Sequence, residues 1–206
     1  TAVKVISTNE SYKAIAQDRG KKDENDVVIV RSGPNEDRLY PIDPNKKILG
    51  DFEFLLVYIG VMGPQDRVDI AIDAMDEIVN VRGEKRVALA LLGDGDCFEE
   101  LKAQTKKLAL NENVVFTGRA NDEVIRDYFS SAHLGIAPDP ATPFNSHSTH
   151  NKIMEYMIFG LPVVAFDLKE TKKSASKAVS IVQENADPKA FADRIMELLK
   201  DEKTRN

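Results

Sequence analysis

From Val27 onward, short apolar runs rich in valine, isoleucine and leucine alternate with longer segments whose apolar residues recur at helical spacing. The runs cover residues 27–31, 54–59, 86–92, 114–117, 134–137 and 162–166. Val87-Ala-Leu-Ala-Leu-Leu92 is apolar throughout, as a strand should be when helices cover both faces of its sheet. Between the runs, Val68, Ala71, Ile72, Met75, Ile78 and Val79 share one face of a helix of about four turns. Val124, Ile125, Tyr128, Phe129 and Ala132 mark a second stripe, and Phe191, Ala192, Ile195, Leu198 and Leu199 a third. Asp187-Pro188 opens the third with an N-cap and a proline at the first helical position. Strands and helices in this order predict an α/β fold of βα units around a parallel sheet.

The first fifty residues read differently. A strand near residues 3–6, a helix over 10–19, a charged turn over 20–26 and the strand at 27–31 form one βαβ-like unit. Pro34, Pro41 and Pro44 then interrupt a polar stretch reaching Gly50, the mark of a linker or irregular crossing segment. We place the boundary inside 34–50, giving a leading piece, 1–45, and an α/β domain, 46–206. The opening Thr1-Ala-Val-Lys-Val-Ile-Ser has neither an initiating methionine nor a signal-peptide pattern, so a fragment entered in mid-domain is expected.

Composition narrows the class. Of 206 residues 42% are apolar and 30% charged, as in ordinary globular chains, and 11 glycines with 9 prolines exclude collagen-like or low-complexity character. The longest apolar run, residues 54–62, is about half of what a membrane-spanning helix needs. One cysteine, Cys97, allows no internal disulfide and fits a reducing compartment. A net charge of −6 argues against sequence-independent nucleic-acid binding, which needs a basic surface.

In an open parallel sheet, ligands sit outside the carboxyl ends of the strands, so the strand-to-helix turns are the places to search. Gly60-Val-Met-Gly63-Pro-Gln follows one strand and could bring backbone close to an anion at a helix N-terminus; a tight turn with no ligand is the competing reading. Gly93-Asp-Gly95-Asp starts like a dinucleotide fingerprint, but Phe98 replaces the third glycine and two aspartates would repel a pyrophosphate. It reads as a turn lining a cleft.

The most informative stretch runs from Ala137 through a loop dense in proline and small polar residues into a helix of mainly apolar body, Ile153, Met154, Tyr156, Met157, Ile158 and Phe159, followed by Gly160-Leu-Pro. Such a helix should be buried, and Glu155 inside it needs either protein donors, with Lys152 or a neighbouring loop available, or a ligand that supplies them. His147 and His150 lack a carboxylate or thiolate at metal-ligand spacing and read as polar loop residues; His133 reads as a helix-end residue. Neither a Gly-x-Ser-x-Gly elbow nor a Walker phosphate loop is present.

Taken in order, Tyr58-Ile-Gly-Val-Met-Gly-Pro-Gln-Asp, Leu92-Gly-Asp-Gly, Val115-Phe-Thr-Gly-Arg119, Gly135-Ile-Ala-Pro-Asp, Asn151-Lys-Ile-Met-Glu-Tyr-Met and Gly160-Leu-Pro-Val-Val-Ala resemble the nucleotide-binding half of group 1 (family 4) retaining glycosyltransferases, in a subset sharing the Asn-Lys-x-x-Glu-Tyr-Met look. The resemblance implies a Rossmann-like parallel sheet flanked by helices, the C-terminal half of the two-domain GT-B architecture. Residues 5–11 and 27–34 resemble the tail of the acceptor-side domain. A nucleoside diphosphate sugar is then the substrate, with no metal or cofactor; Glu155 matches the glutamate on the ribose hydroxyls. Ser148, Thr149, His150 and Asn151 match the start of the helix whose amides hold the distal phosphate. Gly118 and Arg119 match the strand end beside the base, Gly60 and Gly63 match the turn under the phosphates and sugar, and Gly93 is a further nucleotide-binding candidate.

The chain departs from that pattern at three places. Val61 and Asp66 stand where many members carry an arginine and a lysine on the diphosphate, and His147 where many carry a glutamate on the donor sugar. Lys152 is the expected replacement cation, with Arg67 behind it, and Lys152 and Glu155 are the expected catalytic pair. The implied activity is sugar transfer in polysaccharide or glycan assembly by a cytoplasmic protein, with peripheral membrane association through the missing acceptor domain left open. A non-catalytic nucleotide-binding or interaction module and a related sugar-nucleotide epimerase are the alternatives.

Overall fold

A computed structural model describes residues 2–205. The chain opens with β1 (Val5–Ser7), α1 (Glu10–Asp18) and β2 (Val27–Ile29); β1 and β2 pair in parallel as a sheet of their own, with Val5 opposite Val27. Asn9 caps α1, its side chain accepting the Tyr12 N–H. The proline-rich stretch that follows is laid along a later helix, Asp122–Ser131, and carries the short α2 (Lys46–Leu49). It is held there by a two-pronged Arg38–Asp122 ion pair and by Asn45 N–H donating to Ser131.

The main sheet contains β3 (Phe54–Ile59), β4 (Val87–Leu92), β5 (Val114–Gly118), β6 (Leu134–Ala137), β7 (Val163–Phe166) and β8 (Val179–Val182), all parallel in the order β5-β4-β3-β6-β7-β8. Five of these match apolar runs of the sequence; β8, with Ser180 in its middle, does not. The helices are α3 (Val68–Asp76, running on through a wider π turn over Glu77–Val81), α4 (Phe98–Lys107), α5 (Asp122–Ser131), α6 (Pro143–His147), α7 (Asn151–Ile158), α8 (Lys169–Ala175), α9 (Pro188–Lys200) and α10 (Glu202–Arg205).

β3, β4, β6 and β7 each feed two cores. Leu56, Tyr58, Leu89, Leu91, Ile136 and Phe166 point to the side covered by α3, α4 and α9, where Met75, Leu101 and Phe191 meet them. Val57, Ala88, Ala90, Val163 and Ala165 point to the other side, against Phe129 of α5, Ile153 and Tyr156 of α7 and Ala175 of α8. Two-sided burial is why these strands are apolar at every position, each large side chain contributing about 1.5–3 kcal/mol. Gly135 sits under Tyr156, where a Cβ would come within 2.5 Å of the ring. With no side chain below it the ring lies against the sheet, and its hydroxyl reaches the Ile59 N–H at 3.1 Å and the Ile136 carbonyl at 3.0 Å, joining β3 to β6.

That junction positions the site. The chain builds β3, β4 and β5 outward in one direction, then returns to lay β6 against the other side of β3. The carboxyl ends of β3 and β6 therefore flank the reversal of strand order, where open α/β sheets leave a crevice.

Candidate functional site

Four turns meet at this end of the sheet. Those after β3 and β4 are joined by backbone hydrogen bonds: Gly60 N–H to Leu92 O (3.1 Å), Met62 N–H to Asp94 O (2.8 Å) and Cys97 N–H to Met62 O (2.9 Å). Gly93 has φ +135°, and a Cβ there would lie 2.0 Å from the Gly60 carbonyl oxygen, so only glycine lets the turns close. The Gly93 N–H in turn donates to Gly118 O at 2.9 Å. The glycines expected beneath a ligand thus first hold loop to loop. Beside them Ile59, Gly60, Val61, Leu92, Gly93, Asp94, Arg119 and Ala120 line a cleft of about 250 Å³. Arg119 is exposed on its rim and makes no ion pair among the described residues. A larger cavity of about 430 Å³ lies at the sheet edge between β8 and α9. Its Asp187 caps α9, and its Asp193, Arg194 and Glu197 are in ion pairs.

The loop after β6 carries Asp139 and leads through α6 into α7. Asn145 anchors it, donating from Nδ2 to the carbonyls of Gln65 (2.9 Å) and Pro140 (3.1 Å). From the other side Asn9, fully buried, donates to His147 O (2.8 Å) and Thr149 Oγ1 (2.9 Å), while Tyr12 meets Ser148 Oγ at 3.0 Å. The Ser148 N–H is taken by Asn145 O. Among the described residues, the amides of Thr149, His150, Asn151 and Lys152 at the start of α7 have no acceptor. These are the first donors of a helix, on which an anion is favoured.

Lys152 is where structure and expectation part. Its ammonium is buried, 3.0 and 3.1 Å from the two oxygens of Asp139, itself 1% exposed, and 3.7 Å from Asp66. It also donates to Tyr58 Oη at 3.4 Å and lies over the Tyr58 ring, 4.5 Å from its centre. Burial alone would pull this ammonium's pKa down, but the neighbouring carboxylates turn the balance and hold it above the ordinary lysine range. A lysine expected to bring free charge to a diphosphate arrives already matched. Arg67, the weaker candidate, is spent on Asp69 through a two-pronged contact. His150 packs against the same group, Nε2 3.6 Å from Asp139, with Nδ1 buried and without a partner among the described residues; burial keeps its pKa low.

Glu155 lies one turn into α7. The helix is not buried all round, because Asn151 and Met157 face solvent, and Glu155 is half-buried. Desolvation raises its pKa, with Lys152's charge opposing, and its carboxylate accepts no hydrogen bond among the described residues. Sequence reasoning missed Asn9, Tyr58 and Asp139. Thr8-Asn9-Glu10 carries a helix-start signal and Asp139 lies within a quoted motif, but the contacts both make are long-range.

Comparison with known proteins gives a family and a fold. The sequence profile described as "Glycosyl transferases group 1" matches residues 53–201. An uncharacterised glycosyltransferase of Methanocaldococcus jannaschii is 24% identical across 95% of this chain and 53% of its own length. Among solved structures, sucrose-phosphate synthase from Thermosynechococcus elongatus superposes with a TM-score of 0.76 at 21% identity, covering 98% of this chain and 50% of the other. HepE from Anabaena, in complex with UDP, gives 0.74 at 18%, covering 98% and 56%. The likeness shows the fold, that of the C-terminal domain of GT-B enzymes, and the chain spans about half the length of these relatives.

Proposed function

Because this chain belongs to the group 1 glycosyltransferases, we propose that it is the donor-binding part of a retaining enzyme. That enzyme transfers a sugar from a UDP- or GDP-sugar to an acceptor in polysaccharide or glycan assembly. The observation that carries the reading is the start of α7, where four successive amides lack an acceptor and a half-buried carboxylate one turn further lacks a donor. A diphosphate satisfies the first need and the two hydroxyls of a ribose the second. The Anabaena relative has been solved with UDP and with UDP-glucose.

In this reading, transfer rests on electrostatic stabilisation of the departing diphosphate by the α7 amides and by Arg119, with no metal. Lys152 fixes the turn after β3 against the loop after β6 through Asp139, Asp66 and Tyr58, which makes it a positioning residue. The acceptor side belongs to sequence outside this chain, so the chain binds donor and completes no transfer alone. The whole enzyme works in the cytoplasm, and any attachment to the inner membrane face is through that other part. A second reading, a nucleotide-binding module without turnover, is favoured by one observation: the cation at the start of α7 is already matched by carboxylates.

Calorimetric titration with UDP, GDP and ADP tests the binding. One base is expected to be preferred. Glu155→Ala should weaken that ligand about a hundredfold, about 2.8 kcal/mol, while leaving the free protein as stable or more so. No binding at millimolar ligand would overturn the donor reading, and sugar transfer by the isolated chain would overturn the division of labour.

A further inference from the structure

The turn after β3 has one acid at a place shaped for an anion. Asp66 accepts the Gly63 N–H at 3.1 Å and the Gln65 side-chain amide at 2.8 Å, and faces the Lys152 ammonium at 3.7 Å. An amide N–H, a carboxamide and an ammonium are the donors that would receive a phosphate oxygen. The amides of Gly60 and Met62 are already committed to the neighbouring turn and Asp66 takes that of Gly63, which leaves the Val61 amide as the donor of residues 60–63 without an acceptor among the described residues. Desolvation and the charge of Asp139 both disfavour its ionised form, against Lys152 and the Gly63 N–H, which favour it. With Asp66 ionised, Lys152 contributes +1 and Asp139 and Asp66 −1 each, leaving the group at −1 with His150 neutral.

A nucleoside diphosphate sugar and the free diphosphate differ in charge at this end. In the sugar ester the distal phosphate has one ionisable oxygen fewer. Once the sugar has left, that phosphate regains an ionisation with a pKa of about 6, and so carries roughly one further negative charge at pH 7.5. We propose that Asp66 is a specificity-determining residue of the donor seat, a built-in anion that admits the diphosphate ester and disfavours the free diphosphate left by transfer. This rests on the donor-binding reading and extends it: the residue that weakens the seat's positive charge speeds the exchange of spent nucleotide for fresh donor.

The test is titration of the chain and of Asp66→Asn, which keeps an oxygen for the Gly63 N–H and drops the charge, with UDP, UDP-glucose, GDP and GDP-mannose at pH 7.5. Asp66→Ser serves as a second variant, with thermal midpoints of both to confirm folding. For the base that binds, loss of the charge is expected to tighten the free diphosphate about tenfold, about 1.4 kcal/mol, and its sugar ester threefold or less. Equal tightening of the two, or none, overturns this inference and leaves the donor reading standing. Absence of binding by every ligand to wild type and both variants overturns the donor reading and this inference with it.

Discussion

Lys152→Met and Asp139→Asn, singly and together, form a double-mutant cycle on a pair that the structure buries almost completely. Removing one partner of a buried pair costs about 3–5 kcal/mol, because the other charge stays desolvated. Lys152→Met should pay that range in full: Asp139 and Asp66 are left facing each other, and the nearest group able to offset them is His150 at 3.6 Å, whose burial disfavours protonation. Asp139→Asn should cost less, about 2–3 kcal/mol. Lys152 keeps Asp66 at 3.7 Å and the Tyr58 ring at 4.5 Å, and a cation over an aromatic face contributes about 0.5–2 kcal/mol. The double variant carries neither buried charge of the pair, so its loss should fall below that of Lys152→Met alone and the coupling should exceed about 2 kcal/mol. Urea unfolding with linear extrapolation reads all four corners, provided m is constant across them. Lys152→Met should also lower the thermal midpoint by about 10 °C, at about 2–4 °C per kcal/mol for a chain of this size. A Lys152→Met loss under about 1 kcal/mol, or strictly additive losses, would refute the claim that this ammonium is committed to Asp139.

Tyr156→Phe removes the hydroxyl that joins the Ile59 N–H to the Ile136 carbonyl, leaving both unsatisfied in the interior; a loss of about 2–4 kcal/mol by urea unfolding is expected, and a neutral variant would mean that β3 and β6 do not depend on this bridge. His133 accepts the Leu55 N–H at Nδ1 (3.1 Å) and has its pKa lowered by burial first and by Arg205 second. Its folded pKa lies below the unfolded value of about 6.5, so its stabilising contribution is complete above that pH and is lost as pH falls through the folded pKa. His133→Asn, which keeps an acceptor but does not titrate, should flatten the fall in urea midpoint between about pH 7 and 5; an unchanged slope would assign that fall elsewhere, to His150 first, whose pKa moves the same way.

The fold was legible because two-sided burial leaves a plain mark, an unbroken apolar run, on β3, β4, β6 and β7. Elements at the margin leave a weaker one. β8 is an edge strand with Ser180 at its centre, and α4 buries only Leu101 and Thr105, too few positions to form a stripe. The expectation that α7 is buried on every side failed for a related reason. Apolar composition near a ligand crevice does not fix orientation, and Met157 is 39% exposed although its neighbour Tyr156 is fully covered.

The site was legible as positions and not as charges. The start of α7, Glu155 and the strand-end glycines stand in order along the chain, so motif spacing finds them. What Lys152 does depends on Asp139, thirteen residues earlier, and on Tyr58 and Asp66, more than eighty residues away, and no local pattern joins these four. Once they are together, the count of charges alters the chemistry: a lysine between the buried Asp139 and the partly buried Asp66 steadies the loops at the switch point, and Arg119, at the cleft rim, makes no ion pair among the described residues. In a chain of net charge −6, that count makes Asp66 the residue whose removal should change ligand choice most.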